Sequence, residues 1–513
     1  MTIKSAPTSQ EWERLAAIKP RPIAALFAAD PGRTEAMSLR LEWPAHEGEK
    51  GGMLIDFAKT HLSQEILGAF EALAEAAGFA KARDALFEGG IVNPSEGRAA
   101  THAAMRGSGD AAAVEEADAL LARMGILVDA IHEGALGDVR HLIHIGIGGS
   151  ALGPALAVDA LTRDLAKVDV HVVSNIDGLA LEQAFAACDP QATLIALASK
   201  TFTTTETMTN AASALDWLAR EGVEDPSGRV IALTANPERA VEWGVDETRI
   251  LPFPESVGGR YSIWSSIGFP IALAIGMEEF REFLGGARAV DSHFRETEGR
   301  TNGPLMAAFA DQYYARLRDC QTRAVFAYDE RLALFPDYLQ QLEMESNGKR
   351  VTTNGEPVEG PTAPITWGGV GTDAQHAVFQ LLHQGTHLVP VDFFAAIAPG
   401  DALDPAHHRA LLMNCLAQGA ALMAGQASDD PARAYPGDRP STTFLLDDLD
   451  PAALGALIAF HEHRTFANAV LMGINPFDQF GVELGKAIAQ AIKSGEGEFD
   501  PSTRALMKAA GLA

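Results

Sequence analysis

The chain has 513 residues, 47% hydrophobic and 21% charged, a length and composition that suit a globular protein of several domains rather than one core. Its 40 Lys and Arg against 68 Asp and Glu give a formal net charge of -28, which disfavours nonspecific binding to nucleic acid or anionic lipid but leaves room for a small anionic metabolite held by local amides. The opening MTIKSAPTSQEWERL has no leader-like apolar run, the apolar stretches around Ile267–Met277 and Leu411–Met423 fall short of the roughly 20 residues of a membrane span, and Cys188, Cys320 and Cys415 have no CxxC partner, so a cytoplasmic chain without disulfides is expected.

In chain order, the first part reads mostly as helices near Thr8–Ala29, Ser63–Phe79 and Lys81–Glu88, with a further helix from about Asp110 to Glu133. The rhythm then changes to short Val- and Ile-rich strands at His141–Ile145, Val168–Ser174, Thr193–Ala198 and Val230–Thr234. Helices are expected between them at Leu152–Leu161, Leu179–Ala187 and Thr207–Arg220. This alternation predicts right-handed βαβ units and a parallel sheet covered on both faces. An apolar helical connection spans about Ser262–Leu284. The rhythm returns with strands at Arg323–Tyr328, Ile365–Trp367, Thr386–Asp392 and Ala469–Asn475, and helices at Gln375–Gln384, His408–Ala424 and Asp450–Phe466. The fold class is therefore α/β with two domains, ending in a tail with a short helix at Ser502–Ala510.

Several stretches carry groups suited to chemistry. His141–Pro154, HLIHIGIGGSALGP, runs a strand into Gly146, Gly148 and Gly149 before Ser150 opens a helix, so backbone amides and a helix terminus can meet an anion. Gly146-x-Gly148-x-x-Ala151 followed by Asp177 also fits a loose dinucleotide fingerprint, and a plain strand–helix turn is the third reading. Ser199, Lys200, Thr201, Thr203 and Thr204 crowd donors after the Thr193–Ala198 strand, as a phosphate cradle or as simple helix caps. Arg260 sits in SVGGRYS, where a planar cation either stabilises developing negative charge or holds a turn.

Glu343 and Glu345 share a face if QLEMESNGKR is extended. If it is helical they diverge by about 200°, so that one can be buried while the other faces a cleft. Gly368–His376, GGVGTDAQH, reads as another glycine-rich turn before a helix. His376 and His383 lack a third ligand at convincing spacing, and His461 and His463 point to different helix faces, so no metal site is expected. In NPFDQFGVELGK, Pro476 and Asp478 suit a helix start that sets Gln479, Glu483 and Lys486 on one face.

Taken together, GIGGSALGP (Gly146–Pro154), SKTFTTTET (Ser199–Thr207), SVGGRYS (Ser256–Ser262), MESNGK (Met344–Lys349), GTDAQHAVFQLLHQGT (Gly371–Thr386) and NPFDQFGVELGK (Asn475–Lys486) resemble the phosphoglucose isomerase family, in its order and over most of the chain. The resemblance implies two SIS (flavodoxin-like) domains with parallel sheets flanked by helices. These would occupy 110–270 and 271–493, with a helical N-terminal region (1–109) packing on the larger domain and a C-terminal arm (494–513). It implies reversible glucose 6-phosphate to fructose 6-phosphate isomerisation in glycolysis and gluconeogenesis, by a homodimer with shared active sites and with neither metal nor other cofactor. It further implies Glu345 as base, Arg260 as enediolate stabiliser, and His376 (from the neighbouring subunit) and Lys486 in ring opening. Ser199, Thr201, Thr204 and the Lys200 backbone would hold the phosphate, with Gly149, Ser150, Gln341 and Gln479 around the sugar. An NAD-linked oxidoreductase, a non-catalytic sugar-phosphate sensor and a related aldose–ketose specificity are the competing functions.

Overall fold

The computed structural model describes residues 6–44, 50–163 and 166–512; the first five residues of the stretch read as leaderless, and Ala513 at the end of the expected C-terminal arm, lie outside them. The chain forms two compact units, Met1–Pro476 and Phe477–Ala513. In the first unit, β1 (Ser38–Pro44) pairs antiparallel with β2 (Lys50–Asp56), Leu41 opposite Met53. A five-stranded parallel sheet follows, built from β3 (His141–Gly146), β4 (Asp169–Val173), β5 (Thr193–Ala198), β6 (Val230–Thr234) and β7 (Ile250–Pro252) in the order β4-β3-β5-β6-β7. The second sheet contains β8 (Thr322–Tyr328), β9 (Ile365–Val370), β10 (Val391–Ala396) and β11 (Ser441–Leu446), parallel to one another, and runs β1-β2-β11-β10-β8-β9. Both sheets with flanking helices give the α/β class predicted.

The strand sequences explain the layering. Every residue of β5 (TLIALA) and β10 (VDFFAA) is buried, as expected where helices cover both faces of a parallel sheet. One face of the first sheet packs Ile143, Ile145 and Val173 against Leu181, Ala214, Trp217 and Leu218 of the helices Gly178–Ala187 and Thr205–Arg220. Connectivity then locates a crevice. From β3 the chain steps to β4 on one side and to β5 on the other, so the loops leaving the carboxyl ends of β3 and β5 diverge, and ligands of open α/β sheets bind at such a switch point.

Several expectations need correction. The N-terminal region is not only helical, since β1 and β2 extend the second sheet, and Pro20 and Pro22 split the expected Thr8–Ala29 helix into Ala6–Ala17 and Ile23–Ala29. The connection at Ser262–Leu284 is broken at Gly276 (φ 95°) into helices Phe269–Ile275 and Met277–Glu296. β10 begins at Val391 rather than Thr386, because Pro390 cannot donate to a ladder. Ala469–Asn475 is not a strand: it contains the end of the helix Pro451–Met472, stopped by Gly473 in the left-handed region, and the strand position belongs to β11. Gly368–Val370 belongs to β9 rather than to a turn, and Gly371 opens the helix Gly371–Gln384. No helix among the described residues is long and apolar enough to cross a membrane.

Candidate active site

The loop after β3 is held by its own strand. His144, the fourth residue of β3, lies 2.7 Å through Nε2 from the Ser150 carbonyl, which only accepts, so that nitrogen carries the ring proton. Burial lowers the His144 pKa to about 4 and keeps the ring neutral. The loop then meets Gly258–Tyr261 backbone against backbone: a Cβ on Gly149 would lie 2.2 Å from the Gly259 carbonyl carbon and 2.4 Å from the Arg260 nitrogen. Only glycine permits that approach. A Cβ on Gly148 would lie 3.0 Å from Gln341 Nε2, which places Gln341 beside the same loop.

Arg260 is buried, and its guanidinium approaches a carboxylate at the crevice. Its Nε donates to Ser346 Oγ at 2.7 Å, its Nη2 donates to the Pro476 carbonyl at 2.5 Å, and its Nη1 lies 3.5 Å from Glu345 Oε2. Tyr261 Oη shares a hydrogen bond with Ser346 Oγ at 2.9 Å. Gln341 Nε2 donates to Glu345 Oε2 at 3.0 Å. The Glu345 side chain keeps 21% of its surface open while that of Arg260 keeps 2%. Thus Gly149, Gln341, Arg260 and Glu345 are brought into one constellation.

The two carboxylates of LEMES follow the helical alternative. Residues Gln340–Glu345 form a π-helical turn after the helix Phe335–Leu339, a widened geometry frequent at functional sites. Glu343 turns inward, taking Arg323 Nη2 on both oxygens at 2.6 Å and the Thr366 hydroxyl at 2.7 Å. Although burial opposes its charge, Arg323 and its neighbours hold its pKa well below the usual carboxylate range. Glu343 is thereby committed to the core, and Glu345 is the carboxylate left at the crevice.

The donor-rich loop after β5 lies at the other side of the switch point. Ser199 Oγ and Thr204 Oγ1 are 2.9 Å apart, and Thr201 Oγ1 and Thr203 Oγ1 are 2.7 Å apart. Thr204 is the first residue before the helix Thr205–Arg220, but its hydroxyl makes no cap bond and turns to Ser199 instead. Simple capping therefore does not account for it, and hydroxyls beside a helix N-terminus suit a phosphate. Lys200 Nζ donates to the carbonyls of Glu255 (2.6 Å) and Val257 (3.1 Å), tying this loop to the one that carries Arg260. Burial lowers the Lys200 pKa to about 8. Asp177, the acidic residue of the dinucleotide alternative, caps the helix Gly178–Ala187 through the Leu179 amide.

His376 is exposed in the second turn of the helix Gly371–Gln384. Gln479 and Lys486 belong to the second unit, Lys486 on the helix Glu483–Ser494. Gln479 does not share that helix: its backbone is non-helical (φ -152°, ψ 42°), and helical geometry starts after it. A cavity of about 1080 Å³ between Arg163, Asp329, Arg331 and Asp401 contains none of the expected site residues. Sequence reasoning missed Ser346, which joins Arg260 to Tyr261, and His144, whose place two residues before Gly146 in HLIHIG was the available signal.

Comparison with known proteins places the chain among its relatives. The phosphoglucose isomerase family model matches residues 56–507. The chain is 70% identical over 509 residues to the glucose-6-phosphate isomerase of Erythrobacter litoralis, covering 98% of each, and 58% identical over 501 residues to that of Zymomonas mobilis, covering 97% of each. The crystal structure of a glucose-6-phosphate isomerase from Chlamydia trachomatis superposes with a TM-score of 0.87 at 30% identity, covering 98% of both chains. Family model, full-length relatives and fold agree with one another: this chain belongs to the phosphoglucose isomerase family.

Proposed function

We propose that this chain interconverts glucose 6-phosphate and fructose 6-phosphate, with Glu345 as the proton shuttle. The observation that carries the assignment is the part-open Glu345 carboxylate 3.5 Å from the buried Arg260 guanidinium. The Ser199, Thr201 and Thr204 hydroxyls and the Lys200 amide anchor the phosphate, whose binding energy orients the reacting carbons. His376 and Lys486 move protons between the ring oxygen and the C1 hydroxyl, opening the ring. Glu345 removes the C2 proton, and the electron pair left behind forms the C1–C2 double bond of a cis-enediolate.

Arg260 stabilises the negative oxygen without releasing a proton, since guanidinium stays charged. The proton on O2 passes to O1 and Glu345 returns its proton to C1, giving the ketose. One carboxylate suits both transfers because it accepts and donates within a single pocket. Hydrogen moves as a proton, so the scheme calls for no hydride carrier. Ser150, Gly149, Gln341 and Gln479 line the sugar. The exposed position of His376 supports a homodimer in which His376 completes the neighbouring subunit's site.

The test is conversion of fructose 6-phosphate in deuterated water by chelator-treated protein, followed by NMR without added cofactor. Glucose 6-phosphate carrying deuterium at C2 is the expected product. Turnover that needs added nicotinamide, or binding without product, overturns the assignment.

A further inference from the structure

At the opposite, amino-terminal edge of the first sheet lies a cluster that the isomerase reaction does not use. His141 is the first residue of β3, His171 the third of β4, and Cys188 follows the helix Gly178–Ala187 directly. The strand register pairs His141 with Asp169 and Ile143 with His171, so both imidazoles project on the face covered by that helix. One ligand atom from each of His141, His171 and Cys188 lies within 4.8 Å of the other two. Buried nitrogens His141 Nδ1 and His171 Nε2 make no hydrogen bond, and the nearest carboxylate oxygen, Asp169 Oδ2, is 3.7 Å from His141 Nδ1.

Two buried imidazole nitrogens without a hydrogen bond are costly, and a cation that takes up both lone pairs removes that cost. We infer that His141, His171 and Cys188 form a binding site for a soft divalent cation, Zn²⁺ by ligand chemistry, with Asp169 or a water as fourth ligand. Two imidazoles, one thiolate and an oxygen match the tetrahedral preference of that ion. Ligand bonds of about 2.0–2.3 Å require the three atoms to close by about 1 Å, within reach of side-chain rotation. Binding exchanges the thiol proton for the metal: the S–H bond breaks, the sulfur pair binds the cation, and one proton leaves to solvent.

β3 carries the chain about 16 Å from this cluster to the glycine loop, so the cation braces the sheet and takes no part in proton transfer. The three residues stand 30 and 17 positions apart, which no short-spacing pattern reveals.

The test uses the full chain, stripped of metal and titrated with Co²⁺ as a spectroscopic probe, then with Zn²⁺. One Co²⁺ per chain, with a thiolate charge-transfer band in the near ultraviolet that Zn²⁺ displaces, is the expected result. Cys188→Ser abolishes the band, Cys320→Ser keeps it, and His141→Gln weakens Co²⁺ binding at least tenfold, all with isomerase turnover retained. Zn²⁺ raises the Tm of the parent chain and not of Cys188→Ser. Absence of the band in the parent chain, or its persistence in Cys188→Ser, overturns the assignment.

Discussion

Glu343 and Glu345 stand two positions apart and do opposite work, because the π-helical turn sends one inward to Arg323 and leaves the other at the crevice. Glu343→Gln removes one member of a buried ion-pair network. It should lower stability by about 3–5 kcal/mol in denaturant unfolding, the usual cost of leaving a buried charge unpaired. Arg260→Lys keeps the charge but loses the fork that reaches both Ser346 and Glu345. Its kcat should fall about 10²- to 10³-fold with KM little changed, as measured by steady-state kinetics. Gly149→Ala pushes a methyl group into the Gly259–Arg260 backbone. It should cost about 1–3 kcal/mol of stability. It should also cost roughly 10²-fold in kcat/KM, since the loop carrying Arg260 must move. The residue types and order of this site were legible in the sequence. Which glutamate turned inward was not, because that depends on Arg323 and Thr366, each about twenty residues away.

At the scale of elements, strands buried on both faces were the easiest to read: Thr193–Ala198 and Val230–Thr234 form as expected, bounded by helices of the expected length. Helix and strand boundaries were missed at Pro20, Pro22, Gly276 and Pro390, and one apolar run was too short to declare a period. Ala469–Asn475 is rich in strand-forming residues yet continues the face of the helix Pro451–Met472. That helix is almost wholly buried although it carries His461, Glu462, His463 and Arg464, because the last three find partners across the core and His461 packs among Phe335, Phe394 and Phe444. Arg464 pairs with Asp311 and Asp392, Glu462 with Arg106 and the Trp264 indole, and His463 with Asp291. A sequence shows such residues as polar and exposed, and only the tertiary partners explain their burial. The strand β2 was equally illegible, since its place in the sheet is set by β11 nearly four hundred residues later.

For the whole molecule, buried neutral histidines contribute to the response to acid, beside buried carboxylates such as Asp291 and Glu343 whose pKa is lowered. His144 is held near 4 by burial, and His293, whose Nε2 accepts the Gly303 amide, is also lowered to about 4. In the unfolded chain both return to about 6.5. Between those values the unfolded state binds more protons, so stability is intact above about pH 6.5, falls as pH drops towards 4, and levels off below for these two groups. His144 alone contributes about 3 kcal/mol to that loss. Urea unfolding at pH 7 and pH 4.5 should show it, and His144→Gln should flatten the slope. The proposed reaction turns on a single carboxylate, so the most direct measurement is steady-state turnover of Glu345→Gln beside its affinity for fructose 6-phosphate. Affinity within a few-fold of the parent chain, with kcat reduced at least about 10²- to 10⁴-fold, is the predicted result. Near-normal turnover would contradict Glu345 as the base and with it the proton path drawn through this crevice.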